Sequence, residues 1–116
     1  MKFKGIELEP GDIIKINGTT AALIGFNNAG IVIMNVALRE TISESSVKTL
    51  KLVMPASEAV PLHARNPEFV KGAKVKAKCS GTNYVGIIIA AIEGVIIATT
   101  NGEQMFWNFS PEFKLA

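Results

Sequence analysis

The sequence predicts an all-β protein made of two similar small units. Three observations carry that expectation. Apolar residues recur with a period of two along most of the chain, as strand faces require. Turn-forming groups such as Asn17-Gly18 and Asn27-Asn28-Ala29-Gly30 cut the pattern into short strands. A stretch holding Pro55, Pro61 and Pro67 separates two segments whose patterns match. The expected organisation is a first unit over 1–53, a linker over 54–70 and a second unit over 71–116.

Composition narrows the class. The chain has 116 residues, 48% hydrophobic and 19% charged, with one cysteine and one histidine. It is too apolar for a disordered chain. Its longest apolar runs fall well short of the ~20 residues of a membrane-spanning helix. The Met1–Glu7 stretch lacks the apolar core of a signal peptide, so a soluble, cytoplasmic protein with no membrane partner is expected. One cysteine excludes an internal disulfide and a multi-cysteine zinc site.

In the first unit, Asp12-Ile13-Ile14-Lys15-Ile16 forms a strand that turns at Asn17-Gly18 into Ala21-Ala22-Leu23-Ile24. After the turn at 27–30, Ile31-Val32-Ile33-Met34-Asn35-Val36 makes a third strand. Thr41-Ile42 and Val47–Val53 supply two more across the Ser-rich break 43–46. In the next segment each proline lacks the N–H that a central strand needs. One helical turn fits at 55–59, and Pro61 argues against a longer helix. The segment therefore reads as a linker crossing a surface.

Beyond it, Gly72-Ala73-Lys74-Val75-Lys76-Ala77-Lys78 matches Gly11–Asn17 at an offset of 61, and Gly86 matches Gly25 at the same offset. Gly94-Val95-Ile96-Ile97 matches Gly30-Ile31-Val32-Ile33 at 64, and Ser110–Lys114 matches Ser45–Lys48. A Gly-Asp opening, an alternating strand, a Gly before a central strand and a Ser-containing turn before the last strand resemble SH3-like small barrels. That class includes the SH3, KOW and Tudor-type domains, and Pro10-Gly11-Asp12-Ile13-Ile14-Lys15-Ile16 is the stretch most similar to a KOW opening. The resemblance covers roughly 9–53 and 70–116 and implies two tandem SH3-like barrels. The second copy departs from it in having Ala73 where the first has Asp12. Neither copy has the closely spaced aromatic pair of an SH3 groove.

Three runs do not alternate: Ile31–Met34, Ile87-Ile88-Ile89 and Val95-Ile96-Ile97. Continuous apolar runs imply strands covered on both faces. The cover is the other unit, the proline-containing segment or another subunit, so a homo-oligomer is a further possibility.

Two features are candidates for binding. Lys74, Lys76 and Lys78 share one strand face, ~6.6–6.8 Å apart, close to the phosphate spacing of an extended single strand. Lys71 lies nearby. The stripe either tracks an anionic backbone or protects a strand edge from unwanted pairing. The aromatics Phe106, Trp107 and Phe109, with Tyr84, concentrate in the second half. They either present a ring outward for stacking or anchoring, or fill a core of small residues.

The remaining chemistry is sparse. His63 has no ligand cluster or nucleophile beside it, and Cys79 shares the inner face with Val75 and Ala77, where a thiol is inert. The acidic residues show no dyad spacing, and no Gly-rich phosphate loop precedes a helix. These features imply no enzyme, no cofactor and no metal.

Net charge is +2 and spread over the segments: +1 for 1–53, −1 for 54–70 and +2 for 71–116. That is little for a committed nucleic-acid binder. The first expectation is therefore a non-enzymatic module that presents a composite surface of two barrels to a protein partner. The alternatives are nucleic-acid binding through the lysine stripe and the aromatics, and a self-assembling component such as a small viral or phage assembly protein.

Overall fold

Short alternating segments joined by tight turns leave each strand one course, which is to pair with its neighbour in sequence. The computed structural model describes residues 2–35, 39–79, 81–100, 104–109 and 112–116, with backbone alone at 79, 100, 104, 106, 108 and 109. A two-stranded hairpin, β1 (Lys2–Phe3) and β2 (Ile6–Glu7), precedes two five-stranded sheets.

The first sheet comprises β3 (Ile13–Ile16), β4 (Thr19–Asn27), β5 (Gly30–Met34), β6 (Arg39–Ile42) and β7 (Leu50–Met54), in the order β6-β5-β4-β3-β7. The second comprises β8 (Lys74–Cys79), β9 (Thr82–Ile92), β10 (Val95–Thr100), β11 (Gln104–Phe109) and β12 (Phe113–Leu115), in the order β11-β10-β9-β8-β12. The orders are the same: four strands meander and the fifth returns to pair with the first. The class is all-β, and among the described residues neither sheet closes on itself.

The repeat is more regular in space than along the sequence. Both sheets carry a bulge on their second strand, at Ile24 and at Ile89, an offset of 65 residues. Before the first hairpin the offset is 61: Ile13 faces Ala22, and Lys74 faces Ile87. The difference arises because the β8–β9 hairpin is longer than β3–β4. Gly25 therefore corresponds to Ala90 rather than Gly86, and Gly30 to Val95 rather than Gly94.

Turn chemistry fixes these registers. Asn17-Gly18 and Glu93-Gly94 have positive φ at both positions, the type I′ geometry that matches strand twist in two-residue hairpins.

The segment expected to be a surface linker holds a helix, α1 (Ala56–Ala64), with Pro61 inside it. Its reason is burial. Ala56, Ala59, Val60 and Ala64 line one face at helical spacing, and all four are buried. Pro61 removes one intrahelical hydrogen bond, which costs less than that burial returns. The helix ends where Arg65 adopts the left-handed conformation and the Asn66 N–H donates to the Pro61 carbonyl.

At its other end, Pro55 offers no side chain to cap the first turn. Asp12 does so from a distance. Its buried carboxylate accepts from the Ala56 N–H at 2.8 Å and from the Glu9 N–H at 2.9 Å. The corresponding residue of the second unit is Ala73, whose side chain has no acceptor.

Three apolar clusters result. One lies inside the first unit, with Ile14, Ile16, Leu23, Ile31 and Ile33. One lies inside the second, with Val75, Ala77, Ile88, Ile96 and Phe113 closed over by α1. The third joins the units: Ile13, Ala22, Ile24, Val32 and Met34 pack with Ala59 and with Ala90, Ile92, Val95 and Ile97. The runs 31–34 and 95–97 thus divide alternately between an inner core and the contact between units, as continuous apolar strands require. Ile87 is the exception: it is 47% exposed.

Candidate binding face on the second sheet

Strand alternation sends Val75 and Ala77 of β8 into the core and leaves Lys74, Lys76 and Lys78 outside. Each lysine has a fixed neighbour on β9: Lys74 faces Ile87, Lys76 faces Val85 and Lys78 faces Asn83. On the other side, Lys114 of β12 faces Lys76. The row through Ile87 continues to Thr99 on β10 and Met105 on β11. Trp107, 50% exposed, faces Ile97 and so lies on this same outer side.

The face is therefore mixed in chemistry. Four ammonium groups crowd β8 and β12, and none forms an ion pair with another described residue. Adjacent strands lie about 4.8 Å apart, so Lys76 and Lys114 are close like charges that raise the local potential. Beside them Val85 (52% exposed) and Ile87 leave aliphatic surface in water. A shallow concavity of about 440 Å³ sits on this face, lined by Lys76, Lys78, Lys114, Asn83 and Val85, with Glu112 at its wall.

The structure does not bring together all the candidate residues. Lys71 lies before β8 and its Nζ is 3.6 Å from Glu9 Oε2, an ion pair between the units rather than part of the stripe. Tyr84 faces Ala77, which places it half-buried on the opposite side from the lysines. The side chains of Phe106 and Phe109 lie outside the described residues. Lys114, Val85 and Ile87 were not among the candidates. Lys114 is two residues from the end of the second unit and meets Lys76 only through the returning strand. Val85 and Ile87 were legible as the outward half of the alternation in Asn83-Tyr84-Val85-Gly86-Ile87.

His63 is not on this face. Its Nδ1 accepts the Glu93 N–H at 3.2 Å, and its carbonyl accepts the Gly94 N–H at 2.7 Å, so the end of α1 grips the β9–β10 turn. Partial burial holds the imidazole below its usual pKa; the Glu93 carboxylate opposes this and Arg65 adds to it. Among the described residues no three His, Cys, Asp or Glu side chains group as metal ligands, and no helix is long and apolar enough to cross a membrane. The Cys79 side chain lies outside the described residues.

Comparison with protein-family models, with curated proteins and with solved structures finds no match to this chain.

Proposed function

We propose that the chain is a non-enzymatic binding module, built of two SH3-like units packed on one another, that takes a protein partner on the outer face of its second sheet. The shared strand order of the two sheets supports the SH3-like reading. The observation that carries the function is the exposed aliphatic pair Val85 and Ile87 set directly beside Lys74, Lys76 and Lys114. Apolar area excluded from water supplies affinity, and the ammonium groups orient the partner and speed its encounter. An anionic partner with apolar side chains answers both.

The lysine pitch favours one other reading, a single-stranded nucleic acid whose phosphates follow β8 and whose bases reach Trp107. Amide chemical-shift mapping of the full chain separates the two. The probes are a Glu/Val-alternating peptide and a mixed-sequence single-stranded oligonucleotide, each at low and at about 0.15 M salt. Peptide-induced shifts centred on 74–78 and 83–87 that persist at the higher salt support a protein partner. Binding of the oligonucleotide alone, falling steeply with salt, transfers the face to nucleic acid. Shifts elsewhere, or none with either probe, overturn the assignment of this face.

A further inference from the structure

The two sheets repeat a feature that neither core nor edge accounts for. On the outer face of the first, Lys51 of β7 faces Lys15 of β3, and Lys15 faces Thr20 of β4. On the outer face of the second, Lys114 of β12 faces Lys76 of β8, and Lys76 faces Val85 of β9. The pairings match strand for strand, so one position of the repeat carries a lysine pair twice. All six residues are exposed. Each row shares its face with residues of the cluster that joins the units, Ile13 and Ala22 in the first sheet, Ile97 and Met105 in the second. Both rows lie beyond that cluster, in solvent.

Like charges directly opposite one another destabilise a strand pair. Edge protection accounts for Lys51 and Lys114, which lie on the outermost strands β7 and β12. It does not account for Lys15 and Lys76, whose strands are paired on both sides. Among the described residues, none of these four ammonium groups forms an ion pair. Side chains directly opposite start about 4.5–5.5 Å apart at Cβ, so both ammonium groups of a pair can close on one oxyanion.

Resting on the binding-module reading, we propose that Lys15 and Lys51 form a second carboxylate-binding site, equivalent to Lys76 and Lys114, so that the chain holds two acidic peptide segments at once. The third residue of each row sets the difference between the sites. Thr20 offers a hydroxyl, which suits a segment whose carboxylates alternate with polar side chains. Val85 offers methyl groups, which suit aliphatic ones. The first unit's two aromatics, Phe3 and Phe26, pack with its inner cluster, so no ring stands beside Lys15 for a base to stack on. That favours carboxylates over a nucleic acid. Two sites on one chain raise the avidity for a partner that carries both segments.

The test uses the full chain with Glu/Ser-alternating and Glu/Val-alternating peptides, a Lys/Val-alternating control and a mixed-sequence single-stranded oligonucleotide. Calorimetry gives the stoichiometry and amide chemical-shift mapping gives the place. Two acidic peptides are expected per chain, one shifting 13–20 with 50–52 and the other 74–78 with 83–87. Lys15→Gln/Lys51→Gln should weaken binding at the first place about tenfold and leave the second within about twofold; Lys76→Gln/Lys114→Gln should do the reverse. Replacing Val by Ser in the peptide should weaken only the second place. Both double variants should melt no lower than wild type, because Gln removes the repulsion and keeps the length of the side chain.

One peptide per chain, confined to 74–87, overturns this inference and leaves the binding-module reading standing. One peptide confined to the first sheet overturns the pairing of equivalent sites and the assignment of the second face alike. A lower melting temperature with unchanged binding assigns the lysines to packing and overturns both sites. Preference for the oligonucleotide overturns the acidic-peptide class, and no binding by any probe overturns the inference together with the reading on which it rests.

Discussion

Asp12→Ala removes a contact that only the folded chain can make. The side chain is 3% exposed and accepts two backbone N–H groups, from Ala56 at the first position of α1 and from Glu9. Loss of a capping acceptor costs about 0.5–2 kcal/mol, and a buried donor left without a partner costs about 1–3 kcal/mol. The Glu9 donor is only part-buried and regains water, so its share is small. Relief of the desolvated carboxylate offsets a further part. The capping and unpaired-donor figures describe the same Ala56 bond, so the expected net loss is about 1–3 kcal/mol. Urea unfolding followed by Trp107 fluorescence and by far-ultraviolet circular dichroism measures it, with both probes in one transition. Asp12→Asn keeps one acceptor oxygen and should lose roughly half as much by the same reasoning. A loss below about 0.5 kcal/mol for Asp12→Ala, within the range of surface substitutions, would refute the view that this carboxylate holds the helix to β3.

Three further outcomes follow from the same contacts. His63 is preferred neutral in the fold, so its contribution is complete above its unfolded value near 6.5. That contribution is lost as pH falls below that value through the lowered folded one. Thermal melts of wild type between pH 7.5 and 5 should show this loss, and His63→Asn, which keeps an acceptor but does not titrate, should flatten it. Gly11 has φ +99°, and a Cβ there would sit 2.8 Å from both the Ala56 Cβ and the Ile89 carbonyl oxygen; Gly11→Ala should cost about 2–4 kcal/mol in chemical unfolding. Ile97 is fully buried between the units, and Ile97→Ala should cost about 2–5 kcal/mol while lowering one common unfolding midpoint rather than splitting the transition.

Much of the architecture was legible because its signals are local. Asn17-Gly18 announces its own turn, and the unbroken run Ile31–Met34 could not be a half-wet strand. The helix was missed because Pro61 outweighed the spacing of Ala56, Ala59, Val60 and Ala64, and small residues give a weak apolar stripe. The repeat was seen but misaligned. Glycines at 25 and 86 invited a match, whereas the bulges that set the register leave no mark in composition. At the candidate site, alternation alone placed Lys74, Lys76 and Lys78 on one face. Lys114 joins them through long-range pairing of β12 with β8, which has no local sequence signal, whereas the outward place of Ile87 follows from the alternation along 83–87. Lys71 was read from proximity along the chain, but its nearest charge is across the unit boundary.

The returning fifth strand also has a kinetic consequence. β3 cannot pair with β7 until the chain from 17 to 49 is closed into a loop, and β8 cannot pair with β12 until 78 to 112 is closed. Closure entropy grows only logarithmically, by about 0.6 kcal/mol per doubling of length, so these similar loops carry nearly equal costs. Neither unit gains a head start from topology. Such non-local pairings place folding in the slow range, milliseconds to seconds, of small β proteins. Until both loops are closed, the aliphatic residues later shared between the units stay in water, the interval in which the nascent chain is most open to aggregation.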